Sequence, residues 1–465
     1  MIPIEGLPIL TAAQMRAAEE AAIAAGASVS TLMARAGEGV AAAVHRLAAG
    51  GEVLVLCGPG DNGGDGYIAA AALRRAGHPV RVAALGEPRG DAAVAARNGW
   101  TGGVERLSAD LAPAPVLVDA LFGTGLSRPL DAAVQEALGA LAAQARLSIA
   151  VDLPSGLDTD SGEPVGEGVP AFDLTLALGA LKPAHVLQPG AALCGKVRVI
   201  DIGLAQEEVG QVRAMDRPLL KRPQPSSHKY SRGMVAVVSG PMHGASELAA
   251  RAAYRAGAGY VLLLTGGLPQ PPHAIVRKPW RDQALADHRI GAMVIGPGLG
   301  RDDRARAKLA AALGSDRALV IDGDALHLLE PDRLRERAAA TVLTPHAGEF
   351  KALFGDGEGS KIARAQAAAA RSGAAVVFKG ADTVIARPDG QASVALNASP
   401  WLSVAGTGDV LAGTIGTMLA QGPHDPLAAA SAGVWLHGEA ARLLGGCFLA
   451  DDLAEALPQA LARAR

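Results

Sequence analysis

Cysteine, aromatic residues and an excess of either charge are all scarce in this sequence. Its 3 cysteines, at positions 57, 194 and 447, lie far apart and form no CxxC pair, which excludes a disulfide framework and a structural zinc site. Aromatic residues make up only 3%, too few for platforms that stack the bases of single-stranded nucleic acids. The 43 Lys and Arg residues nearly balance the 46 Asp and Glu residues, so no basic face is expected and nucleic acid is excluded as a partner.

Long hydrophobic runs are missing as well. No window offers an uncharged apolar stretch that could cross a bilayer, so no membrane association is expected. The first six residues lack the basic and apolar regions of a signal peptide, which predicts a cytoplasmic protein. We also expect a homo-oligomer, although no heptad pattern or other apolar seam specifies its size.

Glycine and proline, in contrast, are abundant, and their placement indicates the fold class. The 58 glycines and 29 prolines stand at the ends of short apolar runs, as turns do in an α/β protein. A chain of 465 residues is too long for one compact core, and the polar, proline-rich residues 215–227 are typical of a connecting arm. The sequence therefore predicts two α/β domains, over residues 1–215 and 222–465.

In the first predicted domain, continuously apolar runs alternate with helical patterns. Such runs are typical of parallel strands buried on both faces, so we predict a Rossmann-like, doubly wound three-layer sandwich with ligands at the carboxyl ends of its strands. The predicted helices cover residues 12–25, 31–49 and 67–76, and the predicted strands cover residues 53–57, 80–85, 116–121, 147–153, 174–178 and 197–202.

The same kind of pattern restarts after the connecting arm and predicts a second α/β unit. Its predicted strands cover residues 233–240, 260–265, 293–296, 319–322, 342–344 and 376–379, and its predicted helices cover residues 245–256, 409–420 and 426–444.

A glycine-rich segment, residues 58–66 (GPGDNGGDG), follows the strand predicted at 53–57. Glycines there let the backbone wrap around a phosphate, and the free N–H groups at the start of the next helix favour an anion. The segment matches neither GxGxxG nor the GK[ST] phosphate loop. A merely tight turn needs glycine but not the accompanying Asp61, Asn62 and Asp65, so the pattern favours a binding site.

Aspartates stand at two further strand ends. Asp119 precedes the residues ALFGTG, and Asp152 precedes LPSG. Because carboxyl ends of neighbouring strands converge in a doubly wound sheet, these acids should face the glycine-rich segment and could bind a cation or transfer protons. Each could instead cap the N–H groups of its own turn, but three converging strand ends favour a site.

These motifs resemble the N-terminal domain of the bifunctional NAD(P)H-hydrate repair enzymes. The resemblance reaches about residue 204 and includes residues 181–185 (LKPAH) and 201–203 (DIG). It implies an epimerase that acts at carbon 6 of the hydrated nicotinamide ring of NADHX and NADPHX. Asp61 stands where the family usually has a second asparagine, which adds a negative charge beside the expected phosphate cradle.

The resemblance also implies roles for individual residues. Asp152 is the candidate for proton transfer, and a potassium ion would be held by Asn62, Asp119 and Ser155. The implied substrate contacts are Asp61, Asn62, Gly63, Gly64, Asp65, Gly123, Thr124, Gly125, Leu126, Ser127, Arg128, Pro129 and Asp152.

A second glycine-rich motif, residues 405–409 (AGTGD), opens a long predicted helix. Gly406 and Gly408 leave N–H groups free at the helix start as an anion hole, and Asp409 could take a proton from an attacking hydroxyl. An aspartate in a first turn can also simply complement the helix dipole. Other strand ends carry residues 295–300 (IGPGLG), 320–324 (VIDGD), 344–350 (TPHAGEF) and 379–383 (KGADT). Within them, His346 could have only a structural role, and Lys379 could be an exposed hairpin lysine.

Together these motifs resemble the ribokinase-like fold and, within it, the ADP- or ATP-dependent NAD(P)H-hydrate dehydratases, over roughly residues 227–457. The resemblance implies a magnesium nucleotide, without settling ADP against ATP. Many relatives carry glycine at Ala405, and residues 241–243 (PMH) replace an aromatic-containing turn. The hydrated dinucleotide would contact Ala245, Gly298, His346 and Asp409, and the nucleotide would contact Lys379, Gly380, Ala381, Asp382, Thr383 and Gly408.

The implied reaction is repair of a damaged cofactor. Phosphorylation of the carbon-6 hydroxyl creates a good leaving group, and elimination then restores the dihydropyridine, with Asp409 as base. One alternative is a ribokinase-like kinase for a sugar or a hydroxymethylpyrimidine, which would use the same anion hole and base. Another is a non-catalytic nucleotide-sensing module. The TPHAGE motif and the fused N-terminal domain favour repair.

Overall fold

The computed structural model describes the chain of 465 residues except positions 127, 206–210, 268–270, 397 and 423–424. The chain divides into two compact units, Met1–Ala214 and Met215–Arg465. The connecting arm predicted at residues 215–227 contains neither helix nor strand. Within the described ranges, no helix is long and apolar enough to cross a membrane.

The main sheet of the N-terminal unit is entirely parallel. Its strands are β1 Val53–Cys57, β2 Val80–Ala84, β3 Val104–Arg106, β4 Val116–Ala120, β5 Leu147–Val151, β6 Leu174–Leu178 and β7 Lys196–Ile200, and a short strand β8, Val212–Ala214, ends the unit. The pairing order β3-β2-β1-β4-β5-β6-β7 changes direction between β1 and β4. A crevice for ligands is expected at that point, outside the carboxyl ends of the strands.

Helices cover both faces of this sheet. They are α1 Ala12–Ala24, α2 Val29–Leu47, α3 Asp61–Arg75, α4 Asp91–Gly99, α5 Ala132–Gln144 and α6 Gly190–Cys194, with a 3-10 helix at Pro183–His185. Successive residues of β1 belong to two different hydrophobic cores. Val55 packs with α2 and α3, whereas Leu56 packs with Leu138 and Leu141 of α5. The predicted three-layer sandwich is therefore confirmed.

The C-terminal unit has a sheet that is parallel over most of its width. Its strands are β9 Met234–Val238, β10 Tyr260–Leu264, β11 Val276–Lys278, β12 Ile290–Ile295, β13 Ala318–Ile321, β14 Thr341–Leu343, β15 Ala375–Phe378, β16 Val384–Ala386 and β17 Ala392–Val394. They pair in the order β11-β10-β9-β12-β13-β14-β15-β16-β17. Only β16 and β17 are antiparallel to their neighbours within this unit. The predicted α/β class is confirmed here as well.

One helix of the C-terminal unit packs with its backbone in contact with that of a neighbouring helix. The helices of this unit are α7 His243–Arg255, α8 Asp303–Leu313, α9 Asp324–His327, α10 Ala347–Phe354, α11 Lys361–Ser372, α12 Thr407–Gln421, α13 Pro426–Leu444 and α14 Ala450–Arg463, with 3-10 helices at Asp282–Ala286, Pro331–Glu336 and Pro400–Leu402. A methyl group on Gly413 of α12 would lie 2.0 Å from the carbonyl oxygen of Ala249 in α7. Glycine at this position lets the two backbones touch.

Two sequence predictions differ from the structure. The helix expected over residues 67–76 begins at Asp61, so the glycine-rich segment is largely helical. Glycine disfavours helices, but here its small size permits close packing of the first turns on the sheet. Five strands of three residues each, β3, β8, β11, β16 and β17, were not predicted, because such short runs show no readable periodicity.

Candidate functional site

A cleft of about 600 Å³ opens at the carboxyl ends of the N-terminal strands. Leu56, Asp119 and Ala150 are paired across β1, β4 and β5, so the residues after these strands meet at one edge. The predicted substrate contacts that line this cleft are Asp61, Asn62, Asp65, Gly123, Thr124, Gly125, Leu126, Arg128 and Asp152.

Three other predicted contacts do not line this cleft. Gly63 and Gly64 are buried in α3 and do not line the cleft; a methyl group on Gly63 would lie 1.9 Å from the carbonyl oxygen of Gly58. These two glycines therefore allow close packing, and their contact with the substrate stays a prediction. Pro129 is exposed and outside the cleft lining, and Ser127 lies outside the described residues.

Asp152 follows β5 directly and is held by several hydrogen bonds. Its backbone has a φ of 65°, a left-handed conformation that costs a non-glycine residue about 1–3 kcal/mol. Its Oδ2 accepts hydrogen bonds from the backbone N (3.1 Å) and the hydroxyl (2.7 Å) of Thr124. Its Oδ1 accepts one from the backbone N of Leu178 at 3.1 Å. The carboxylate is thus fixed in one orientation at the cleft.

Lys182 forms an ion pair with Asp152 inside the protein. Its Nζ lies 2.5 Å from Asp152 Oδ1 and donates to the carbonyl oxygen of Leu178 at 2.7 Å, and its side chain is only 1% exposed. Burial alone would raise the pKa of Asp152, but the charge and hydrogen bond of Lys182 outweigh burial and lower it. Asp152 is therefore ionised at neutral pH. The sequence motif LKPAH contained Lys182, yet the sequence analysis assigned this residue no role.

His185 connects the backbones of the same two residues. Its Nδ1 accepts a hydrogen bond from the backbone N of Lys182 at 2.9 Å, so its Nε2 carries the proton and donates to the Asp152 carbonyl oxygen at 2.6 Å. Burial lowers the pKa of His185 to about 4, which keeps the imidazole neutral.

The three predicted potassium ligands lie around the segment that joins β4 to α5. Asp119 Oδ1 accepts hydrogen bonds from Leu121 N (3.1 Å) and Ser155 Oγ (2.8 Å), and its Oδ2 accepts one from Ser155 N (2.9 Å). Asp119 thus also caps its own turn. Burial raises the pKa of Asp119 to about 6, and these hydrogen bonds oppose the shift. Both amide atoms of Asn62 are buried, and neither has a hydrogen-bond partner among the described residues.

Further charged residues of the cleft have shifted acidity. Burial, reinforced by the charge of Asp152, raises the pKa of Asp65 well above its usual range. Burial also raises the pKa of Glu19, although Lys182 opposes that shift. Glu19 and Arg16 come from α1, and no local motif marks them because α1 reaches the cleft only through tertiary packing. The cleft therefore holds one carboxylate that is ionised at neutral pH beside others that take up protons more readily.

In the C-terminal unit, three neighbouring parallel strands end in polar side chains. Asp322 follows β13, Thr344 follows β14 and Lys379 follows β15. Asp322 Oδ1 accepts hydrogen bonds from Thr344 Oγ1 at 2.7 Å and from Lys379 Nζ at 2.9 Å. Burial alone would lower the pKa of Lys379, but Asp322 and Glu349 outweigh burial and raise it. Lys379 is a paired, largely buried cation, so the alternative of an exposed hairpin lysine is excluded.

Asp409 stands beside this group, in the first turn of α12. Gly406 caps the helix at a φ of 90°, and a methyl group on Gly408 would lie 3.5 Å from Lys379 Nζ. Burial and the negative charge of Asp322 raise the pKa of Asp409 to about 7, against the opposing effect of Lys379. A carboxyl group of this kind can exchange a proton near neutral pH.

His346 caps α10 at the same edge of the sheet. Its Nδ1 accepts hydrogen bonds from the backbone N of Gly348 (3.0 Å) and Glu349 (3.3 Å), and the backbone N of His346 donates one to Glu349 Oε2 at 2.9 Å. The His346 side chain remains 60% exposed. The ring is therefore both structural and accessible.

The other predicted nucleotide contacts form the turn after β15. The backbone N of Gly380 donates to Thr383 Oγ1 at 3.1 Å, and Asp382 pairs with Lys361 at 2.5 Å. Ala381 is exposed at the tip of the turn. Lys361 adds a second cation next to Lys379, since its Nζ lies 3.4 Å from the carbonyl oxygen of Lys379.

A cleft of about 520 Å³ lies between the start of α12 and α7. Ala245, Ala405 and Asp409 line it together with His243, to which the sequence analysis assigned no role. Gly298 lies just behind, since a methyl group there would be 3.1 Å from the Ala245 side chain. Asp409 thus faces this cleft, and the start of its helix, α12, lies next to Lys379 and Asp322.

Comparison with known proteins agrees with the two-unit architecture. Residues 29–184 match a family described as the YjeF-related protein N-terminus, and residues 235–462 match one described as NAD(P)H-hydrate dehydratase. A solved ADP/ATP-dependent NAD(P)H-hydrate dehydratase from Bacillus subtilis, co-crystallised with ATP/Mg²⁺, is 28% identical, with a TM-score of 0.46. The similarity covers 53% of this chain and 95% of that one.

Two curated relatives match almost end to end. The bifunctional NAD(P)H-hydrate repair enzyme Nnr of Mycobacterium tuberculosis is 37% identical over 87% of this chain and 88% of its own length. The enzyme of the same name from Pyrobaculum aerophilum is 35% identical, and the match covers 98% of both chains. Because relatives this similar span most of the sequence, the chain belongs to the family of bifunctional NAD(P)H-hydrate repair enzymes.

Proposed function

We propose that the N-terminal unit epimerises hydrated NADH and NADPH, and that the C-terminal unit dehydrates the S epimer. The main support is that each unit holds a cleft with an aspartate at its edge, Asp152 in one and Asp409 in the other. Both aspartates follow a strand or open a helix at the carboxyl edge of a parallel sheet, where α/β proteins bind ligands. Membership of the repair family does not favour the kinase or sensor alternatives.

A potassium ion fits the N-terminal unit. Asn62, Asp119 and Ser155 would hold it through amide, carboxylate and hydroxyl oxygens, which are the hard ligands that such a cation prefers. Within the described part of the chain, the Asn62 amide oxygen has no hydrogen-bond partner, and a methyl group on Gly123 would lie 3.2 Å from it. When bound, the ion would neutralise the buried Asp119 and orient Asn62 toward the substrate.

The N-terminal cleft has the composition that a dinucleotide needs. Apolar side chains of α1 and α2, including Met15 and Leu32, offer a surface for the nicotinamide ring. Arg16 and Arg128 also line the cleft and would attract the phosphates. Asp152, ionised and fixed by Thr124, would accept a proton from the substrate.

In the C-terminal unit, Asp409 would act as the general base. It removes the proton of the carbon-6 hydroxyl, whose oxygen attacks the terminal phosphorus of the nucleotide. The N–H groups at the start of α12 and the Lys379 ammonium stabilise the charge on the transferred phosphoryl group. Phosphate then leaves with the carbon–oxygen bond electrons, and loss of a ring proton restores the dihydropyridine.

The nucleotide would lie against the turn after β15. Lys379 and Gly408 adjoin one another there, and Lys361 supplies a second positive charge. Among the described residues, no cluster of three or more histidine, cysteine or acidic side chains is arranged to hold a metal ion. The phosphates themselves fit magnesium, which would arrive as the nucleotide complex and neutralise their charge.

The two assignments can be tested on single-residue variants of the full chain. An R and S mixture of hydrated NADH is incubated with Mg²⁺ and ADP or ATP, and recovered NADH absorbance and released phosphate are followed. Asp152→Asn should repair the S epimer but use the R epimer only at its spontaneous rate of epimerisation. Asp409→Asn should lower the kcat of S-epimer dehydration about 100- to 10,000-fold, and repair of the R epimer should fall with it.

Asp303→Asn provides a matched control, because Asp303 is an exposed aspartate in the first turn of α8. It should behave as the wild type. Full repair activity in Asp409→Asn, or formation of a stable phosphorylated sugar or pyrimidine by the wild type, would contradict the proposal.

A further inference from the structure

Lys182 is buried and yet lines a cleft, which is an unusual environment for a charged side chain. Lys182 is 1% exposed, and burying an ammonium group costs several kcal/mol unless hydrogen bonds and a counter-ion offset it. Asp152 Oδ1 and the carbonyl oxygen of Leu178 accept two of its three N–H groups. Among the described residues no protein acceptor takes the third, and Lys182 lines the cleft, so this N–H remains available to a bound molecule.

The surroundings hold Lys182 and Asp152 in a fixed mutual geometry. The neutral His185 ring bridges the two backbones, accepting from Lys182 N and donating to the Asp152 carbonyl oxygen. Thr124 and Leu178 fix the two carboxylate oxygens. The left-handed backbone at Asp152 adds strain, and such strain persists where the local structure enforces a functional geometry.

From this arrangement we infer that Lys182 is a second catalytic residue of the N-terminal site, which donates a proton to the substrate while Asp152 accepts one. The inference rests on the proposed epimerase function and adds the acid that the reaction requires. An ordinary structural ion pair would not need to line a cleft of about 600 Å³.

The chemistry requires an acid and a base together. The hydrated ring is a hemiaminal, in which carbon 6 bears a hydroxyl and is bonded to the ring nitrogen. Asp152 takes the hydroxyl proton, the oxygen electrons form a carbonyl, and the carbon–nitrogen bond breaks. The electron pair of that bond stays on the nitrogen, which takes a proton from Lys182.

The ring then closes on the opposite face. Rotation of the open-chain aldehyde turns its other face to the nitrogen, which attacks the carbonyl carbon and returns its proton to Lys182. Asp152 gives its proton back to the oxygen. No atom is gained or lost, and neither an oxidant nor a reductant is needed.

Lys182→Arg separates proton donation from simple charge balance. Arginine keeps the positive charge but does not release its proton at neutral pH. We expect the kcat of epimerisation to fall about 100- to 10,000-fold while KM stays nearly unchanged. In Lys182→Ala, added propylamine should restore part of kcat, whereas the neutral isostere propanol should not. Epimerisation is followed by chromatographic separation of the R and S forms.

Two controls accompany these variants. Lys196→Met removes an exposed lysine of β7 in the same unit and should leave epimerisation unchanged. Dehydration of pure S substrate, measured on each Lys182 variant, should match the wild type and shows that the C-terminal unit is folded. Denaturant unfolding of the same variants, compared with the wild type, shows whether the N-terminal unit is folded as well.

The possible outcomes distinguish a failure of the proposed epimerase function from a failure of the role proposed for Lys182. A wild-type chain that does not interconvert the epimers contradicts the proposed function itself. If the wild type does so and Lys182→Arg retains its kcat, only the role of Lys182 as acid is overturned. Equal recovery of Lys182→Ala with propanol and propylamine would also overturn it, because space filling would then explain the rescue.

Discussion

The environments of the two central aspartates shift their acidity in opposite directions. Asp152 is paired with Lys182 at 2.5 Å, and its pKa is lowered although burial alone would raise it. No described residue forms such a close ion pair with Asp409, and burial together with Asp322 raises its pKa to about 7. Asp152 is therefore ionised at neutral pH, whereas the protonation state of Asp409 changes near neutrality.

This difference predicts unequal pH dependence of the two activities. A general base works in its deprotonated form, so kcat/KM for S-epimer dehydration should fall about tenfold per pH unit below about pH 7. Epimerisation should not show this fall, because Asp152 stays ionised there. Initial rates of both reactions between pH 5 and 9, about two units on either side of this pKa, provide the measurement. A dehydration rate that is flat from pH 5 to 7 would contradict the role of Asp409 as base.

At the scale of elements, the start of α3 shows why glycines cluster next to the first cleft. Gly63 lies against the Gly58 backbone, and a methyl group on Gly66 would lie 2.7 Å from the Ala120 side chain of β4. The helix can therefore approach the sheet closely, which brings Asn62 and Asp65 of its first turns to the cleft. The same glycines that weaken the helix locally are required by its packing.

Gly63→Ala should accordingly destabilise the N-terminal unit. Its new methyl group would overlap the Gly58 carbonyl, and overpacking of this kind costs about 1–3 kcal/mol or more. The matched control is Gly139→Ala in α5, where a methyl group meets nothing within 4 Å and should stabilise the helix by about 0.5–1 kcal/mol. Denaturant unfolding measured on both variants tests this, and equal stability of the two would exclude the packing role.

At the scale of the whole molecule, each cleft is built from one unit alone. The residues that line the first cleft fall between Met15 and Ile202, and those that line the second fall between His243 and Asp451. Each site should therefore work without residues from the other unit, and we expect the S epimer to pass between them through solution.

Complementation in trans tests this independence. Asp152→Asn and Asp409→Asn chains, mixed in equal amounts, should repair an R and S mixture completely, although neither variant does so alone. The expected rate approaches half that of wild type at equal total protein, since about half of each kind of site is active. If the mixture repaired no more R epimer than Asp152→Asn alone, the two sites would have to lie in one chain.

Local sequence patterns predicted the fold class and the family of this protein, but not the contacts between its individual side chains. The strand ends at Asp152 and Asp322, and the AGTGD helix start, were readable because a parallel strand and the turn after it are short, contiguous and compositionally distinct. The fold class and the repair family were predicted from these motifs and are confirmed. The roles assigned to single site residues, the potassium ion and the exact domain limits remain predictions.

Only the tertiary structure decided which side chains surround the two aspartates. Lys182 lies 30 positions after Asp152, and Asp322 lies 57 positions before Lys379, so no local period links either pair. Glu19 and Arg16 reach the first cleft from a helix that precedes the sheet. Such contacts, and the pKa shifts they cause, depend on burial and on distances across the fold. Separation along the sequence determines neither burial nor these distances. The register of the parallel strands and the packing of helices on them determine both.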